Sequence, residues 1–147
     1  LGLARLWAFL RRRQVFALDT SIFIYQLEEN VRYVSVTDPV FAWLEHREHS
    51  ALTSTITMTE LLVKPYREPD EHTVNEFYAL LATYPNLDWI APSLDIADIA
   101  ARLRAQHRLC TPDALQAVTA VKGGATGLIA NDGAFARLDA FRSARSR

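Results

Sequence analysis

The chain has 147 residues, half of them apolar and 22% charged, with one cysteine, Cys110. This excludes a disordered chain and an intrachain disulfide scaffold, and the length suits one domain. The formal net charge is -1, but seven arginines lie in the first 13 and last six residues; residues 14–141 hold nine basic against 17 acidic side chains, a net of -8. Basic ends on an acidic body suit neither a plain DNA-binding domain nor a membrane-surface protein; they suit an acidic site that awaits a cation.

Residues 1–14 place an apolar stretch before Arg11, Arg12 and Arg13, the reverse of a secretory signal. They are expected to form an N-terminal extension of unassigned role. No apolar run approaches the roughly 20 residues of a membrane-spanning helix. The cysteine usage fits a reducing, cytoplasmic compartment.

Val15–Leu18 is a short apolar run and predicts a strand. A helix over 22–29 follows, capped by Asp19, Thr20 or Ser21. Asp38 as N-cap and Pro39 at the first helical position predict a helix over 39–49. A second strand is expected over 51–56, then a helix starting at 59 that meets Pro65. Val74, Phe77, Tyr78 and Leu81 predict a helix over Glu71–Thr83. A strand over 88–91 leads into a helix over 95–107. Thr111 then caps a helix over 112–122, which stops at Gly123 and Gly124. The last strand is expected over 127–130, with a short helix over 134–138. Alternating strands and helices argue for a three-layer α/β sandwich around a parallel sheet of four to five strands. A single domain over 15–141 and a basic tail over 142–147 complete the expected organisation.

Four acids stand out against this frame. Asp19 ends the first strand, and a helix cap explains it as well as a site does. Glu60 stands in Thr57-Met-Thr-Glu60, a capping box in which Glu60 reaches back to the Thr57 N–H. Asp113 stands in Thr111-Pro-Asp113, where the positive helix end accounts for an acid. Asp132 follows the last strand in Asn131-Asp-Gly133, which is strong turn chemistry. Each has a structural explanation, but together they are harder to dismiss. A parallel sheet would bring all four to one edge, where carboxylates repel unless protons or a cation intervene. Oxygen-only ligands favour Mg²⁺ or Mn²⁺, which can activate water and neutralise a phosphodiester.

Four segments resemble the PIN-domain ribonucleases, specifically VapC-type toxins of toxin–antitoxin pairs. They are Leu18-Asp-Thr-Ser-Ile-Phe-Ile-Tyr25, Thr57-Met-Thr-Glu-Leu-Leu62, Thr111-Pro-Asp-Ala-Leu-Gln-Ala117 and Ile129-Ala-Asn-Asp-Gly-Ala-Phe135. The resemblance spans residues 15–138. It implies a PIN-like fold and an Mg²⁺- or Mn²⁺-dependent endoribonuclease. Asp19, Glu60, Asp113 and Asp132 would be metal ligands, with Ser21 (or Thr20) and Asn131 orienting ligands or water. It further implies an RNA substrate, a homodimer and a cognate antitoxin. Residues 1–14 and the arginine tail have no counterpart in it.

Other features carry less. His46 and His49 lie three apart on an expected helix and suit a solvated face better than zinc. Cys110 is expected to be a small buried side chain. Gly123-Gly-Ala-Thr-Gly127 precedes a strand and is no phosphate loop. Arg102, Arg104 and Arg108 are the internal candidates for phosphate contacts. Phe23, Tyr25, Phe41 and Trp43 are expected in the core, with some available to an apolar groove. Two rival functions remain: a PIN-like binding module without catalysis, and a receiver-like signalling domain. The second needs an acidic pair at the first strand and a lysine after a late strand. This chain has Asp19 alone there, and its lysines are Lys64 and Lys122. A phosphatase of the Asp-x-Asp type fails because Thr20 and Ser21 follow Asp19.

Overall fold

The computed structural model describes residues 4, 15–28 and 34–130. Its four strands are β1 (Val15–Leu18), β2 (Ser50–Ser54), β3 (Leu87–Ile90) and β4 (Leu128–Ile129). They form one parallel sheet in the order β3-β2-β1-β4. Phe16 pairs with Ala51, Ala51 with Leu87, and Leu18 with Ile129. The described helices are α1 (Thr20–Leu27), α2 (Val34–Leu44), α3 (Ile56–Arg67), α4 (Glu71–Thr83), α5 (Leu94–Gln106) and α6 (Thr111–Lys122).

Side chains alternate across the sheet, so each strand feeds two cores. Phe16, Leu18 and Ala51 face a core shared with Ile22 and Phe23 of α1, Phe41 and Trp43 of α2, Leu61 of α3 and Leu81 of α4. Ala17 and Leu52 face the opposite side, against Ala120 of α6, Ala125 and Leu128. Beyond it α5 and α6 pack through Ile96, Ala100, Leu103, Ala114, Ala117 and Val118. This is the expected three-layer α/β sandwich, with four parallel strands among the described residues. The chain adds β2 and β3 on one flank of β1, then crosses back to place β4 on the other. Such a reversal opens a crevice beyond the carboxyl ends of the strands, beside β1.

Several boundaries differ from the sequence expectation. Helix α2 begins at Val34, so Pro39 lies inside it and Asp38 is not its cap. Pro39 removes one backbone bond, while burial of Val40, Phe41, Trp43 and Leu44 on the same turns holds the helix together. Asp38 instead accepts from Gln26 Nε2 at 2.7 Å. Helix α2 stops at Leu44 rather than at His49. His49 stacks on Trp43 at 3.9 Å and 3°, with Nδ1 2.7 Å from the Trp43 carbonyl, so it is not on a solvated helix face. Helix α3 runs through Pro65 to Arg67, because Leu61, Leu62 and Pro65 are buried together. Cys110 is exposed, not buried. Gly123 ends α6 as expected; a Cβ there would lie 2.5 Å from Leu52 Cδ2 and 2.8 Å from Ile90 Cδ1, so only glycine fits without movement. The expected helix over 134–138, the extension over 1–14 and the tail over 142–147 lie outside the described residues. Among the described residues, no helix is long and apolar enough to cross a membrane.

Candidate active site

Asp19 stands where β1 stops. Its N–H donates to the Ile129 carbonyl at 2.9 Å, so the ends of β1 and β4 hold its backbone. Its carboxylate caps α1: Oδ2 accepts from the Ser21 N–H at 3.3 Å and from Ser21 Oγ at 2.8 Å. Both recorded bonds end on one oxygen. Capping and ligation are therefore compatible roles for this side chain, not rivals. The hydroxyl that bonds Asp19 is that of Ser21, while that of Thr20 bonds Glu60.

Glu60 does not complete a capping box. Helix α3 starts at Ile56 with Thr55 as its N-cap; the Thr55 side chain makes no cap bond, and the Ile56 N–H donates to Ser54 Oγ at 3.3 Å. Thr57 is thus inside the helix and fully buried, its hydroxyl turned into the core. Glu60, one turn on, accepts from Thr20 Oγ1 at 2.8 Å through Oε1. The outer face of Glu60 is open to solvent, but its carboxyl sits in a partial recess. Burial raises its pKa above the ordinary 4.5; the Thr20 hydrogen bond opposes this, and the charges of Asp19 and Asp113 add to it.

Asp113 lies in the first turn of α6. The N-cap there is Cys110, which makes no side-chain cap bond, rather than Thr111. The helix end favours a negative charge at this position, and that charge reaches Glu60. Asp19, just after β1, and Asp113, in the first turn of α6, thus both bring a charge to bear on Glu60 near the start of α3. Asn131 and Asp132 lie outside the described residues. Among the described residues, no three or more His, Cys, Asp or Glu side chains are gathered closely enough to hold a metal ion. The donor chemistry nevertheless fits a hard divalent cation: all oxygen, anionic, and mutually repelling without one.

Beneath these acids is a buried polar cluster that the sequence reading missed. Thr53 donates to the Leu18 carbonyl at 2.8 Å and meets the Thr57 hydroxyl at 2.8 Å. Gln116 Nε2 donates to Thr57 Oγ1 at 2.6 Å and to Thr20 Oγ1 at 3.2 Å. Gln116 Oε1 accepts from the Ser54 N–H at 3.4 Å. The signal was present: polar residues at 53 and 57 where an apolar pattern would serve, and a glutamine amid the buried residues of α6.

Arg102 and Arg104, two of the three arginines proposed for phosphate contacts, lie on α5, and Arg108 lies in the loop that leads to α6. Arg102 pairs with Asp98 at 2.8 Å, and Arg104 Nε donates to the Leu109 carbonyl at 3.0 Å. A cleft of about 280 Å³ opens beside Glu60 between α1, α3 and α4. Its floor includes Ile24, Leu27 and Phe77, and its rim includes Glu28, Glu68 and Asp70.

The PIN domain model matches residues 16–140. The chain belongs to the PIN domain family. A toxin–antitoxin complex from Klebsiella pneumoniae contains a chain 27% identical to it, with a TM-score of 0.60, covering 82% of this chain and 90% of that one. VapBC2 from Rickettsia felis, solved bound to a DNA fragment from its promoter, is 19% identical with a TM-score of 0.58, covering 84% and 92%. The second likeness speaks to the fold alone. No curated protein matches the chain significantly.

Proposed function

We propose that this PIN domain is an Mg²⁺- or Mn²⁺-dependent endoribonuclease and the toxin of a type II toxin–antitoxin pair. The observation that carries the reading is the PIN domain match over residues 16–140, with Asp19 and Asp113 near enough to Glu60 for their charges to add to the rise that burial gives its pKa. Asp132 would join them, and Asn131 and Ser21 would orient ligands. A bound cation would supply an activated water and neutralise charge on the phosphodiester. The protein's own part is to hold the carboxylates apart from their repulsion: Ser21 steadies Asp19, Thr20 steadies Glu60, and the α6 amino end steadies Asp113.

The Klebsiella pneumoniae toxin–antitoxin neighbour supports an antitoxin partner, and a cytoplasmic setting belongs to the same reading. The acid-rimmed, apolar-floored cleft beside Glu60 suits an amphipathic segment of such a partner. RNA loops suit the site better than duplex, since their backbone can be splayed into a shallow cleft. Arg102, Arg104 and Arg108 would contribute phosphate contacts, and Arg102→Ala or Arg108→Ala should weaken RNA binding in a salt-dependent way. A homodimer would form through an apolar surface, because the arginine-rich ends repel one another. Deletion of residues 1–13 should leave the dimer intact in solution scattering, and a clean monomer would place the interface in that segment.

The deciding experiment is cleavage of single-stranded RNA with Mg²⁺, with Mn²⁺ and with excess chelator. Cleavage only with metal supports the nuclease reading. Cleavage that persists in chelator, or RNA binding without cleavage under every condition, favours the binding module.

A further inference from the structure

We propose that Gln116 is a positioning residue that aims the Glu60 carboxylate through the Thr20 hydroxyl. The inference rests on the reading of Glu60 as a metal ligand. Gln116 is 3% exposed, and its recorded hydrogen bonds go to Ser54, Thr20 and Thr57. Its role emerges from counting protons in the cluster.

Each threonine hydroxyl has one proton to give. The Leu18 carbonyl only accepts, so Thr53 spends its proton there. In the 2.8 Å contact between Thr53 and Thr57, Thr57 must then be the donor. An ionised Glu60 also only accepts, so Thr20 spends its proton on Oε1. Thr20 and Thr57 lie 3.2 Å apart with both protons directed elsewhere. Their oxygens would face each other unrelieved without a donor between them. The Gln116 amide supplies it, one N–H to each oxygen. The amide cannot turn over, because its oxygen takes the Ser54 N–H of β2.

Every donor direction is thereby set. Ser54 orients Gln116, Gln116 fixes the lone pairs of Thr20 and Thr57, and Thr20 has its proton free for Glu60 alone. Glu60 is a long side chain on a helix face open to solvent. Its only recorded side-chain hydrogen bond among the described residues is this one from Thr20. The geometry of that contact is set by Ser54 of β2 and Gln116 of α6, together with Thr57 one turn before Glu60. Loss of the amide would let the Thr20 proton turn toward Thr57 and release Glu60. Partners of metal ligands commonly change affinity by about 10–100-fold when removed.

The test uses Gln116→Met, which keeps the length and removes the amide, Thr20→Val, and the double variant. Mn²⁺ affinity of the metal-free full chain is measured by calorimetry. Each single variant should bind Mn²⁺ about tenfold more weakly, and the double variant no more weakly than Thr20→Val, since both act on one path. Wild-type affinity in Gln116→Met, or additive losses in the double variant, would overturn the proposal and leave a merely structural glutamine. Crystal structures of metal-free wild type and Gln116→Met form the second arm. Glu60 displaced from Thr20 in the variant supports the positioning role; Glu60 still at about 2.8 Å from it overturns that role. Should wild type bind no Mn²⁺ at all, the metal reading falls, and the second arm still decides what Gln116 does.

Discussion

The turn after β1 and the first turns of α3 both deliver a carboxylate to the same crevice, by opposite means. Asp19 is held locally: its backbone continues a strand, and its side chain is met by Ser21, two residues away. Glu60 is held across the fold, by Thr20, 40 positions earlier, which is itself set by Gln116, 96 positions later. The local carboxylate needs only a correctly ended strand. The distant one needs β1, β2, α3 and α6 assembled first. A site built this way would have one carboxylate fixed by its neighbours in sequence and one fixed only where distant elements pack together.

The largest expected effect comes from breaking the local arm. Asp19→Asn keeps the size and a capping oxygen but loses the charge, so metal-dependent RNA cleavage should fall at least about a hundredfold. The variant should remain folded by circular dichroism, because the amide still caps α1. Cleavage at the wild-type rate would remove Asp19 from the site.

Glu60→Gln tests the distant arm, with a loss of at least about tenfold in cleavage. Its second signature is stability. Folding raises the Glu60 pKa above 4.5, so this group's contribution to folding is complete below that pH and lost as pH rises through the folded value. Metal-free wild type should therefore melt lower than Glu60→Gln at pH 7, with the difference closing below pH 4.5. Adding Mg²⁺ should stabilise wild type more than the variant. Equal melting across the whole range would mean that neither burial nor the charges of Asp19 and Asp113 penalise an ionised Glu60.

The same contrast explains what could be read beforehand. Strand β1 and helix α4 have the expected ends, because an apolar run closed by an acid and a 3.6-residue stripe behind Asp70 are local signals. Asp19 was legible for that reason. Glu60 was recognised, but its structural explanation was wrong: the capping box assumed Thr57 at the helix boundary, while burial of Thr57 in a hydroxyl cluster moves that boundary upstream. Pro39 and Pro65 misled in the same way, since long-range packing on Phe41 and Leu61 outweighs a lost backbone bond. Gln116 left only a weak local mark, a glutamine on the buried face of its helix, because its partners Thr20, Ser54 and Thr57 come from other elements.

Thr57→Val should separate the arms by stability. The methyl group fills the space of the hydroxyl but leaves a Gln116 N–H without its acceptor and Thr53 without its donor. A buried unpaired group costs about 1–3 kcal/mol, to be seen as a lower denaturant midpoint with an unchanged slope. Cleavage should fall less than in Glu60→Gln, since Thr20 still faces Glu60. An unchanged midpoint would mean that the cluster relaxes around the loss.

Ser21→Ala is the smallest expected change and the sharpest test of locality. It removes the 2.8 Å bond from Ser21 Oγ to Asp19 but leaves the Ser21 N–H that Asp19 caps. One partly exposed hydrogen bond to a charged group is worth about 1–2 kcal/mol at most, and here the cap shares the work. Melting should drop only slightly, and cleavage by a few-fold, because Asp19 keeps its charge and its strand-held backbone. A loss as large as that of Asp19→Asn would mean that the Ser21 hydroxyl itself meets the substrate or the cation. The hydroxyl would then be a ligand in its own right, and the β1 turn would supply two groups to the site where the contrast with α3 assigns it one.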